Sequence, residues 1–224
     1  MKTLESYLQS WDAAYNEESV KIPLFNPSNR TQLTSAQKQL FAKAFYHARG
    51  HFYRFLWMVG SFAETEDEKR VVIDNIMEEF GGRHRSHERL YFDFAESLGV
   101  DMVAEIQSET AYAPFLVAFN KAHIDWLLSH DWHHKWAAFS AYERLDNIDY
   151  ENLYRIASAM NLGEKELRFF DVHRHVKHFD GASVSLLKMW EISPDSVKSG
   201  FEFIGQHQLK MWRNLSNLVL ESHE

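Results

Sequence analysis

Imidazoles and carboxylates carry the chemistry available to this chain: 13 histidines stand beside 32 aspartates and glutamates, with no cysteine. The missing thiols exclude disulfides, zinc ribbons, iron–sulfur clusters and cysteine nucleophiles. Neutral histidine is the commonest nitrogen ligand for metals and an acid–base group near pH 7, so its placement on helix faces matters. Advancing by about 100° per residue puts His87 near the middle of the apolar face formed by Leu90, Tyr91, Phe94 and Leu98, with His84 at its edge. Glu143 continues the stripe of Trp132, Trp136 and Phe139. Glu79 falls at the margin of the face of Val72, Ile73, Ile76 and Phe80, whereas Glu78 points away from it. The densest polar cluster runs from Phe169 to Asp180. Its wheel turns His173, Lys177 and Asp180 inward beside Phe169, Val176 and Phe179, and places Asp171, His175 and His178 on another side.

Each of these residues also has an ordinary reading, as a core histidine bonded to a neighbour or a solvated carboxylate at a helix margin. Together, Glu79, His87, Glu143, His173 and Asp180 come from four helices. Inward carboxylates and imidazoles from several helices are how bundles build non-haem iron sites. Oxygen and nitrogen donors without thiolate suit iron or manganese, and also admit zinc.

The elements that must position these residues read as helices throughout. Gly (9) and Pro (4) are scarce, no stretch alternates as a strand, and aromatics are plentiful at 17 Phe, 9 Tyr and 7 Trp. A short amphipathic N-terminal helix is followed by an irregular connector over 22–34. Thr34 and Gln37 have capping-box spacing ahead of a long helix to about residue 62. Helices are expected over 66–80, stopping at Gly81-Gly82, and over 83–98, stopping at Gly99. Further helices are expected over 112–128, 132–145, 150–160 and 164–190. Ser193-Pro194 marks the start of the last one, as a serine cap followed by proline in the first turn. The expectation is an all-α single domain over residues 1–224, with about seven to eight helices.

Composition narrows the partners. A net charge of −8 argues against nucleic acid, whose phosphates require clustered Lys and Arg. No run approaches the roughly 20 apolar residues that cross a bilayer, and residues 1–6 lack the apolar core of a signal peptide. A cytoplasmic protein is expected.

Several segments resemble the heme-oxygenase-like superfamily. The strongest runs from Glu78-Glu79-Phe80-Gly81-Gly82 through Ser86-His87-Glu88-Arg89-Leu90-Tyr91 to Leu98-Gly99. It is similar to the Glu-Glu-x-Gly…His-x-x-Leu-aromatic…Leu-Gly stretch of the heme-oxygenase-like oxidases. That group includes the iron-containing redox enzymes, the chlamydial protein associating with death domains, the pyrroloquinoline-quinone synthases and, more distantly, the thiaminase II (TenA-like) proteins. Phe45-Tyr46-His47-Ala48-Arg49 resembles the Tyr-His segment of their long early helix, and Phe169-Phe170-Asp171-Val172-His173 the start of their late ligand helix.

The resemblance implies a helical bundle, commonly a homodimer, with a small organic substrate in a central cavity beside a dimetal non-haem iron site, and one or two iron ions are expected in this chain. Haem is not expected. The implied ligands fall on Glu79, His87, Glu143 and His173. Lys177 then stands where the relatives carry Asp, and Asp180 where they carry a final His. An ammonium is no ligand, so Lys177 is instead a candidate base or nucleophile, with His84 a second candidate acid–base group. The alternatives are a metal-free enzyme like the quinone synthases, or a binding protein without catalysis. The missing cysteine argues against thiaminase II chemistry.

Overall fold

Caps and breakers set the helix ends in the computed structural model, which describes residues 3–82 and 85–222, and of His178 only the backbone. Helix α1 (Leu4–Ser19) opens where the Thr3 hydroxyl accepts from Ser6 N. The expected irregular connector holds a 3-10 turn at Pro23–Phe25 and the one-turn α2 (Pro27–Arg30). The Thr34/Gln37 capping box opens α3 (Ser35–Arg49), and Thr65/Glu68 forms a second ahead of α5 (Glu66–Phe80). Each box satisfies two backbone N–H groups that the helix itself cannot. Gly81 ends α5 at φ 83°, where a residue with a Cβ would be strained.

Elsewhere the lengths differ from expectation. The long early helix divides at Gly50-His51 into α3 and α4 (Phe52–Phe62). Helices α6 (His87–Ser97), α7 (Met102–Ser108) and α8 (Pro114–Ser129) follow. The two helices expected over 132–160 are instead one continuous 27-residue helix, α9 (Trp132–Ser158). The polar stretch Asp146-Asn147-Ile148-Asp149 reads as a connector in isolation. Each polar side chain in it has a tertiary partner: Asp146 pairs with Arg49, Asn147 donates to the Val176 carbonyl, and Asp149 accepts from Tyr15 and Trp212. Held by those partners, they do not compete for the helix backbone.

The stretch expected as one helix over 164–190 is two, α10 (Arg168–His175) and α11 (His178–Ile192). Pro194 begins α12 (Pro194–Leu220) as expected, but the Ser193 hydroxyl pairs with Ser196 Oγ at 2.7 Å rather than capping a backbone N–H. Twelve α-helices and no strand are present among the described residues, so the all-α expectation holds while the helix number exceeds it.

Helix α9 is the axis of the bundle, packed by α12, α10, α11 and α4. It is buried on nearly every side, as a helix central to a core must be. Small residues bring α12 close: a Cβ on Gly200 would lie 2.7 Å from Ala137 Cβ and 2.8 Å from Ala138 N. The largest fully buried side chains include Trp136, Trp212, Tyr91, Tyr150, Phe45 and Phe170. Each such ring contributes on the order of 1.5–3 kcal/mol by leaving water. Among the described residues no helix is long and apolar enough to cross a membrane.

Candidate metal centre

Three helices bring Glu79, His87 and His173 together. Glu79 sits in the last turn of α5, His87 is the first residue of α6 beyond its Ser86 cap, and His173 lies in α10. One ligand-type atom from each lies within 4.8 Å of the other two. Both imidazoles are buried and Glu79 is half-buried. No other group of three or more His, Asp or Glu side chains among the described residues converges in this way.

The two rings are held differently. His173 Nδ1 donates to the Phe169 carbonyl at 2.7 Å, so Nε2 carries the lone pair. Stacking on Tyr150, with ring centroids 4.3 Å apart, fixes the plane of that ring. A histidine whose other nitrogen is committed to a backbone carbonyl is an oriented ligand. His87 Nδ1 lies 2.9 Å from Glu79 Oε1. Burial opposes charge on His87, but the hydrogen bond and charge of Glu79, with Glu78 and Asp146, outweigh it and raise the His87 pKa.

Helix α9 completes the polar interior with Glu143 and Asp146, one turn apart. Glu143 is 1% exposed, and neither carboxylate oxygen has a hydrogen-bond partner among the described residues. Burial, with the charges of Asp146 and Glu79, pushes its pKa well above the usual carboxylate range. Asp146 is paired with the buried Arg49 guanidinium from α3. That guanidinium also lies over Tyr142 at 4.6 Å and Tyr150 at 5.2 Å from the ring centroids, and it stays charged. Burial still raises the Asp146 pKa against the opposing charge of Arg49. A cavity of about 380 Å³ adjoins this centre. Its polar lining includes Arg49, Glu79, Asp146 and His173, and its apolar lining includes Phe45, Phe52, Phe80, Tyr91 and Phe169.

Lys177 and Asp180 stand apart from the centre, which corrects the inward face expected for them. The wheel treats 164–190 as one helix, but the chain is extended at Val176 (ψ 138°), where Asn147 Nδ2 donates to the Val176 carbonyl at 2.7 Å. Beyond that break the helical phase restarts, and both Lys177 and Asp180 are exposed. His84 and the side chain of His178 lie outside the described residues. On α5, Ile73 and Phe80 are exposed rather than part of a buried face, while Glu78 is exposed as expected.

Asp146, Arg49 and Tyr150 are members that sequence reasoning assigned no role. The available signal was the three-residue spacing of Glu143, Asp146 and Asp149, legible only if α9 is allowed to continue past Leu145. Other histidines have the ordinary fate: His47, for example, is buried 2.9 Å from Glu105, which also accepts from Thr110 and Ala111 N.

Comparison with known proteins agrees with the fold. A profile of the family described as iron-containing redox enzyme matches residues 39–179, which include all the centre's members. Among solved structures, the chain is similar to a domain of unknown function with a heme oxygenase-like fold from Shewanella denitrificans. The two share 16% identity at a TM-score of 0.76, over 96% of this chain and 92% of that one. No curated protein matches.

Proposed function

The chain belongs to the family of iron-containing redox enzymes, and on that premise we propose that it is a non-haem iron oxidoreductase acting on a small organic substrate. The observation that carries this reading is the convergence of Glu79, His87 and His173 within 4.8 Å. Two imidazoles and one carboxylate are the donor set of mononuclear non-haem iron centres that keep positions open for reactants. The surroundings fit a cation as well. Glu143 is a buried carboxylate with both oxygens unpartnered, an arrangement that costs free energy unless a cation or a proton resides beside it. Iron bound here would supply one-electron redox chemistry that none of these side chains provides.

The chain's own residues would hold and shield the reactants. Phe169 and Tyr150 fix the His173 ring, so its Nε2 needs no reorientation on binding. Phe45, Phe52, Phe80, Tyr91 and Phe169 give the cavity an apolar lining suited to a flat or aromatic substrate. At about 380 Å³ it lies at the small end of ligand pockets. Tyr46, whose hydroxyl donates to Glu88 at 2.9 Å, also lines the cavity. Burial and the Glu88 charge raise its pKa, so it offers a neutral phenol to whatever binds there.

Metal analysis of protein purified without chelator, followed by anaerobic addition of ferrous iron to the stripped protein, tests the proposal. The expected result is iron that His173→Ala and Glu79→Ala each lose while remaining folded. A folded wild-type protein that neither carries nor takes up a transition metal would overturn it. The remaining reading would then be a metal-free ligand-binding protein, in which Glu79 and His87 serve only each other.

A further inference from the structure

A second cavity, of about 200 Å³, lies between α3, α4, α8 and α9. None of Glu79, His87 and His173 lines it, and Phe52 is the one lining residue it shares with the central cavity. Its buried polar member is His123, which is 4% exposed. His123 Nδ1 donates to the Phe119 carbonyl at 3.0 Å, which leaves the lone pair on Nε2. That Nε2 is buried and has no hydrogen-bond partner among the described residues. A buried acceptor left unmet costs free energy. Burial, with the charge of His207, pulls the His123 pKa down to about 3, so the ring is neutral and Nε2 is an acceptor. Edge contacts with Phe119, Phe55 and Tyr142, at centroid distances of 4.5, 5.5 and 5.7 Å, hold its orientation.

The rest of the lining is aromatic at the wall and cationic at the rim. Tyr112 stacks between His47 and His51 at 4.6 and 5.3 Å and accepts from Asn120 Nδ2 at 3.0 Å, so that wall is rigid. Arg54 and Lys121 also line the cavity, and both are exposed. Lys121 is shared with Asp125, whereas Arg54 donates through Nε to the Tyr53 hydroxyl and pairs with no carboxylate among the described residues. A cavity of about 150 Å³ accommodates benzene, so this one holds a single ring with small substituents.

We propose that this cavity is a second small-molecule site, built for a single-ring aromatic carboxylate with a hydroxyl or N–H at its far end. The ring packs on the aromatic wall, its donor meets His123 Nε2, and its carboxylate lies at Arg54 and Lys121. The site is independent of the metal-binding reading above and stands whether or not the centre takes iron.

Isothermal titration of the purified full-length protein with 4-hydroxybenzoate, benzoate and 4-hydroxybenzamide at low salt tests this. Wild-type protein is expected to bind 4-hydroxybenzoate. Benzoate, which leaves Nε2 unmet, should bind about tenfold more weakly. The uncharged amide should bind about two- to fivefold more weakly, as expected for rim charges. His123→Phe keeps an aromatic ring without the acceptor and should lose the preference for the hydroxyl. The double variant Arg54→Gln with Lys121→Gln should lose the preference for the carboxylate and keep that for the hydroxyl.

Structural damage weakens all three probes alike, so a change in their ratios separates recognition from stability. No binding of 4-hydroxybenzoate to folded wild-type protein, or equal binding of all three probes, would overturn the proposal. So would an unchanged hydroxyl preference in His123→Phe, which would place the probe in the central cavity. Should His123→Phe fail to fold, the double variant of exposed residues decides: an undiminished carboxylate preference would overturn the proposal.

Discussion

Replacing Asp149 by Asn isolates the cost of a buried carboxylate away from the metal-binding residues. Asp149 is completely buried on α9, and its two oxygens accept from Tyr15 on α1 and Trp212 on α12, each at 2.8 Å. Burial raises its pKa to about 7; the Trp212 hydrogen bond, the Arg49 charge and the Tyr15 hydrogen bond oppose this, and Asp146 adds to it. In the unfolded chain the group titrates near the ordinary aspartate value. Between roughly pH 4 and pH 7 the folded protein therefore holds a proton that the unfolded chain has released. Stability contributed by this group is intact below that window and falls as pH rises through it, levelling above about pH 7.

Three pKa units correspond to about 4 kcal/mol in all, of which roughly 2–3 kcal/mol accrues between pH 5 and pH 8. Asparagine keeps the shape and one carbonyl acceptor but cannot ionise. The variant's stability relative to wild type should accordingly improve by roughly 2–3 kcal/mol from pH 5 to pH 8, whatever the offset from altered hydrogen bonding at either pH. Urea unfolding of stripped wild-type and Asp149→Asn proteins at both pH values measures that difference. A relative stability that is constant within about 0.5 kcal/mol, or that moves the other way, would refute the reasoning.

Two further substitutions probe the packing and the helix break. Gly200→Ala places a methyl 2.7 Å from Ala137 Cβ and 2.8 Å from Ala138 N, both on the rigid central helix. It should destabilise by about 1–3 kcal/mol in urea with an unchanged m value, and an unaltered midpoint would show that α12 can shift away at no cost. Lys177→Ala removes an exposed side chain beyond the Val176 break. It should leave metal content unchanged and stability within about 0.5 kcal/mol, whereas loss of bound metal would place that ammonium at the centre after all.

Much of the fold was legible because helix signals are local. The Thr34/Gln37 box, the Gly81 stop and Pro194 at the start of α12 each act within a turn of chain, and all three stand where the sequence puts them. Apolar periodicity likewise identified His87 and Glu143 as buried, because burial of a helix face depends on spacing along that helix. Continuity across polar stretches was not legible. Nothing local shows that Asp146, Asn147 and Asp149 will find Arg49, Val176 and the Tyr15–Trp212 pair, partners up to 134 residues away in sequence.

The sequence by itself determined an all-helical chain, the absence of thiol chemistry, and the inward placement of single residues such as His87, Glu143 and His173. Tertiary structure decided which of them meet. Glu79, a margin residue on its own helix, becomes a partner of His87 only because the Gly81 turn lets α6 pack back against α5. The α10–α11 stretch breaks at Val176, whose carbonyl accepts from Asn147 of the central helix, and Lys177 and Asp180 beyond the break are exposed. Arg49 enters the interior for a reason no helical wheel contains: a charge can be buried where carboxylates and aromatic faces from another helix receive it.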